Sequence, residues 1–146
     1  MRYGNSGRLY TSRVNVYETI WCLLVVGRQE QESALSEIDR VGEEMCRHIF
    51  EFLLPLQTTK ELNEERFELI DQSSRLFAKL LKGSAFIPRK HFKELYSAAR
   101  ALEAEAPYAR DPAAVNEMAN KLHMTADLIV WGECHEDRVP GKPRIK

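Results

Sequence analysis

With 146 residues, 44% of them apolar and 29% charged, the chain can bury a core without staples and is too apolar to be disordered. Its longest unbroken apolar run, residues 20–26, is seven residues long, far short of the roughly 20 that a membrane-spanning helix requires. The net charge of −1 hides a strong sorting: residues 1–17 carry three arginines and no acid, 18–71 sum to −8, 75–100 to +6, and the last nine residues to +4.

The first predicted element is the hardest to assign. "YETIWCLLVVG" is rich in β-branched residues, but no second strand of comparable strength exists to pair with it, and a lone strand leaves its backbone groups unsatisfied. A helix over about residues 14–27 is the better reading, and the polar "RQEQES" allows it to run on into the next. Arg2, Arg8 and Arg13 imitate the charged start of a signal peptide, while Glu18 and the late position of the apolar run argue against one.

From residue 33 the pattern is helical. Ser33 is expected to cap a helix with Ile38, Val41, Met45, Ile49 and Phe52 on one face, closed by Pro55. Thr58 and Glu61 form a capping-box pattern for a second helix ending at Gly83. Its expected stripe is Leu62, Leu69, Leu76 and Leu80, flanked by Ile70, Phe77 and Leu81. Arg66 and Ser73 fall on that leucine face, as an outward-reaching cation and a small packing residue or, alternatively, as part of a buried ion pair.

Pro88 suits the first turn of a third helix carrying Phe92, Leu95, Tyr96, Ala99 and Leu102. Asp111-Pro112 supplies the cap and first turn of a fourth, which ends at Gly132 with Val115, Met118, Ala119, Leu122, Ala126, Ile129 and Val130 inward. Short connections between amphipathic helices imply an all-α, antiparallel four- to five-helix bundle over residues 1–137, with residues 138–146 as an extended basic tail. Three cysteines, odd in number and without CxxC spacing, fit reduced thiols in the cytoplasm.

The fourth helix carries a second apolar strip, Met124, Leu128 and Trp131 at i, i+4, i+7, opposite its inner face. Either the N-terminal apolar segment covers it or it meets a second copy or another protein, with Trp131 as the anchor. Anionic partners are the other signal. Arg75, Lys79 and Lys82 line the outward face of the second helix, and Arg89, Lys93 and Arg100, with Tyr96 between them, line the third. If those two helices form an antiparallel hairpin, the stripes merge into one basic patch, and the tail (Arg138, Lys142, Arg144, Lys146) extends it as an arm. An acidic protein surface is an equally suitable target.

Signals for catalysis are weaker. Bundle metal sites use inward Glu-x-x-His pairs, and none exists here: Glu44/His48 stand at i, i+4 and His91/Glu94 in reversed order. "EERFE" (Glu64, Glu65, Glu68) resembles the first acidic motif of all-α nucleotide pyrophosphohydrolases of the MazG type. That resemblance covers five residues, and the ExxD the family places on a neighbouring helix is represented only by Glu68–Asp71 on the same one. The Arg-x4–6-His signature of HEPN ribonucleases is absent. Cys134 and His135 are expected on a turn after the helix-ending Gly132, among acids that discourage a thiolate. The expectation is therefore a non-catalytic, self-associating interaction module without metal, cofactor or small-molecule substrate. A nucleic-acid-binding accessory protein is the alternative, and a small metal-dependent hydrolase a distant third.

Overall fold

The structure, a computed structural model, describes residues 16–139 and 141, with side chains from residue 32 onward. The expected N-terminal apolar cover and the tail residues Lys142, Arg144 and Lys146 lie outside the described side chains. Four helices carry the fold: α1 (Val16–Thr59), α2 (Glu64–Leu80), α3 (Arg89–Glu105) and α4 (Pro112–Val130). Single 3-10 turns follow α3 (Ala106–Tyr108) and α4 (His135–Asp137). The chain divides into two compact units at residues 34/35, a division that falls within α1. The larger unit, residues 35–146, holds the bundle.

The bundle is all-α with antiparallel α1/α2 and α3/α4 contacts, and no strand occurs among the described residues. The expected face of α1 is the one buried: Ile38, Val41, Met45, Ile49 and Phe52, continued by Leu56. They meet Ile70 and Phe77 of α2, Leu95, Ala99 and Leu102 of α3, and Val115, Ala119 and Leu122 of α4 in one core. Asp111 caps α4, its Oδ1 accepting from the Ala114 N–H at 3.0 Å, with Pro112 in the first turn. Gly132 and Gly83 both adopt positive φ, at 68° and 71°, where a side chain would be strained.

Several boundaries differ from the sequence reading, each for a local reason. Ser33 lies inside α1 and is not its N-cap, because the helix is continuous from residue 16. Pro55 does not close α1, which runs four residues further. A proline inside a helix leaves the carbonyl four residues back without its donor, and here the Arg66 guanidinium supplies one, its Nη1 donating to Glu51 O at 2.8 Å. That contact accounts for Arg66: it serves a backbone group and not a buried acid. Thr58 does not cap α2. Its hydroxyl and that of Thr59 donate back to Leu54 O (2.8 Å) and Pro55 O (2.9 Å), which makes them the last residues of α1. The chain then reverses at Lys60, at φ 59°, and Asn63 is the real cap, accepting from Arg66 N–H at 2.9 Å.

The core face of α2 is also rotated from expectation. Phe67, Ile70, Ser74, Phe77, Ala78 and Leu81 are buried, whereas Leu69 and Leu76 are exposed. Both stripes have helical spacing. The aromatic one lies inward because Phe67 packs on Phe52 of α1 with ring centroids 5.8 Å apart, and Phe77 packs edge-on against His91 of α3 at 6.0 Å. Tyr96 and Val130, expected inward, are exposed at the margins of their faces.

Candidate interaction site

The C-terminal ends of α2 and α4 meet. The Gly83 N–H donates to Gly132 O at 3.2 Å, joining the loop after α2 to the turn after α4. A Cβ on Gly132 would stand 3.8 Å from the Gly83 backbone, so the two segments run in near contact. Phe86 and Ile87 follow Gly83 in the loop after α2, and Val130 and Trp131 precede Gly132 at the end of α4. Phe86 is 83% exposed and Trp131 71%, and Val130 is exposed beside it. The loop that carries Phe86 is held by Ser84, whose hydroxyl donates to Phe86 O at 2.9 Å while its oxygen accepts the Phe86 N–H at 3.1 Å. Trp131 closes α4, its N–H donating to Asp127 O at 3.0 Å. Two large aromatics therefore stand in solvent on backbones that are hydrogen-bonded in place.

The predicted strip divides. Trp131 is exposed, but Leu128 is only 1% exposed and already buried within the chain, and Met124 is half-buried with the Arg138 guanidinium against its sulfur. Sequence periodicity found Trp131 but missed Phe86, which lies in an irregular loop with no period to betray it. The available signal was the short apolar "AFI" between a helix-ending glycine and Pro88.

The predicted stripe Arg75, Lys79 and Lys82 is paired. Arg75 Nε bonds Asp71 Oδ2 at 2.7 Å, Lys79 Nζ bonds Glu136 Oε1 at 2.7 Å, and Lys82 Nζ bonds Asp137 Oδ1 at 2.6 Å. The outward stripe of α2 is thus neutralised by its own helix and by the turn after α4. These bonds hold both lysine pKa values above the ordinary 10.5. They also hold Asp137 down at about 2, through Lys82 first and then the N–H and S–H of Cys134. On α3, Arg100 meets Glu103 at 3.5 Å and Tyr96 rests edge-on against His123, centroids 5.8 Å apart. Arg89 and Lys93 are exposed and have no ion-pair partner among the described residues. Both α2 and α3 pack against α4, and the contact between α2 and α3 themselves is slight, so their two stripes do not run side by side along a close hairpin.

No family model, curated protein or solved structure matches this chain, so geometry alone carries the functional reading.

"GECHED" is a docked turn. Cys134 is buried, its N–H and S–H both donating to Asp137 Oδ2, at 2.9 and 3.3 Å. His135 meets the buried Thr125 hydroxyl through Nε2 at 2.8 Å. Burial, followed by the positive charge of Arg75, pushes the His135 pKa below its ordinary 6.5. In the "EERFE" segment, Glu64 and Glu68 border an open cleft of about 220 Å³ with Glu117 and Lys121, where Lys121 is tied to Glu117 at 3.3 Å. Among the described residues no three His, Cys, Asp or Glu side chains converge as a metal site. No helix among them is long and apolar enough to cross a membrane.

Proposed function

We propose that this protein is a non-catalytic interaction module that self-associates through the end of the bundle bearing Phe86, Ile87, Val130 and Trp131. One observation carries the reading: two large aromatics, both more than two-thirds exposed, sit on loops fixed to each other through Gly83 and Gly132. Exposed aromatics on a pre-organised backbone lose little entropy on binding and are the residues that dominate interface energetics. A second copy is the occupant because it brings an identical apolar end, which a twofold contact pairs with itself. Reduced thiols fit work in the cytoplasm.

The test is light scattering on the purified protein across a range of concentrations, with absorbance followed at 260 and 280 nm. A concentration-dependent oligomer that Trp131→Ala and Phe86→Ala each convert to monomer supports the reading. A monomer at every concentration overturns it. The nucleic-acid alternative retains Arg89, Lys93 and the exposed Tyr96 on α3. It gains ground if the protein carries excess 260 nm absorbance that salt removes.

A further inference from the structure

A second cluster lies away from the aromatic end, where α1 meets α3. Asp39, Gly42 and Cys46 occupy positions i, i+3 and i+7 of α1 and share one stripe. His91, in the first turn of α3, is inserted against that stripe and is 2% exposed. Gly42 makes the insertion possible, since a Cβ there would lie 2.5 Å from the imidazole Cγ and Cδ2. Asp39 Oδ1 is 3.3 Å from His91 Nε2, and Cys46 Sγ is 3.7 Å from His91 Nδ1. Phe77 of α2 closes the ring from the side, edge-on.

The partners assign the tautomer. A carboxylate accepts only, so Nε2 carries the hydrogen and donates to Asp39. Nδ1 is then left as an acceptor directed at the Cys46 S–H. The order thiol, imidazole, carboxylate is that of an activated nucleophile, its base and the group that orients the base. Cys46 itself is only half-buried. The charged groups facing the cluster are Asp39 and Glu43 on α1 and Lys90 and Glu94 on α3, with Glu43 and Lys90 paired to each other.

We infer that Cys46 is a modification site for low-molecular-weight disulfides, with His91 as proton acceptor and Asp39 as its positioning residue. In the exchange the Cys46 sulfur attacks one sulfur of the incoming disulfide, and the S–H proton passes to His91 Nδ1. A new S–S bond forms as the old one breaks, and the departing thiolate takes the proton back from the imidazole. Cys46 is oxidised to the mixed disulfide while one sulfur of the reagent is reduced to a thiol, so no other oxidant enters. Burial and then the carboxylates of Glu94 and Glu43 hold the Cys46 pKa above its ordinary 9.0. At neutral pH the group is therefore a thiol, and reaction there depends on a base within reach. This inference is independent of self-association, since it is read from the mass of Cys46 and not from the size of the particle.

The experiment treats the full-length protein with glutathione disulfide and follows the adduct at Cys46 by peptide mass spectrometry from pH 6 to 9. In the wild type the rate is expected to depend less steeply on pH than that of a free thiol, because the base is supplied within the cluster. His91→Gln is expected to slow it at neutral pH by on the order of 10²-fold, a general-base effect, and to leave a rate that climbs steadily toward alkaline pH. Because His91 is buried, its replacement can unfold the bundle. Asp39→Asn, at a side chain that is 70% exposed, leaves the fold intact and is expected to give a smaller loss with the same change of profile. An Asp39→Asn protein that reacts at the wild-type rate overturns the inference. So does a Cys46 that stays unmodified in the folded protein yet reacts in urea.

Discussion

Gly42 decides how closely α1 and α3 approach. Alanine would raise helix propensity by about 1 kcal/mol, but its Cβ would meet the His91 ring at 2.5 Å. The ring cannot retreat, being held by Asp39, Cys46 and Phe77. Overpacking typically costs about 1–3 kcal/mol, so Gly42→Ala is expected to destabilise the protein by about 1 kcal/mol in urea denaturation. The Pro55–Arg66 relation is a second residue-scale device. Arg66→Ala removes the donor to Glu51 O at an expected cost of about 0.5–1 kcal/mol. In a Pro55→Ala background a new amide N–H reaches the same carbonyl, and the Arg66→Ala cost should fall close to zero. A double-mutant cycle measures this coupling directly, and additive effects would refute it.

At the scale of elements, the turn at His135–Asp137 is the piece held by electrostatics more than by apolar burial. Lys79–Glu136, Lys82–Asp137 and His135–Thr125 fasten it to α2 and α4. His135 is held below its ordinary 6.5, so the unfolded chain takes up a proton before the folded one does. Stability is accordingly unaffected by this group above about pH 6.5 and falls as the pH drops below it. His135→Gln should flatten the thermal-midpoint profile between pH 7 and 5. Asp137 acts in a separate window. Its folded value of about 2 lies below the ordinary 3.8, so its contribution is present above 3.8 and lost as the pH falls from there toward 2. At the start of α4, Asp111→Ala removes the cap on the Ala114 N–H and is expected to cost about 1 kcal/mol, read by the same denaturation measurement.

For the whole molecule, the exposed aromatic end and the sorted charge set the behaviour in solution. If copies join with Phe86 and Trp131 at the centre and Arg89 and Lys93 at the rim, Trp131→Ala should abolish assembly. Arg89→Ala should leave assembly in place and change only its rate and salt dependence, because rim charges govern encounter more than they hold a complex. Light scattering and a salt series separate the two outcomes.

The helices, their order and most inward positions of α1 and α3 were legible in the sequence, because a 3.6-residue period with one apolar stripe has a single sensible burial. On α4, which carries two strips, the inner face was legible, but the second strip divides, with Leu128 buried and Trp131 exposed. Where a helix carried two stripes, as α2 does, composition could not choose between leucines and phenylalanines. The choice fell to Phe52 and His91, distant in sequence, whose rings fit the aromatic face. Likewise no local rule placed Arg66 beneath a proline-freed carbonyl fifteen residues away, Gly83 against Gly132, or a histidine of α3 between Asp39 and Cys46 of α1. Local chemistry fixes which segments coil and which face is apolar. Partners between segments depend on shape and on unmet hydrogen bonds, and those exist only once the helices have packed.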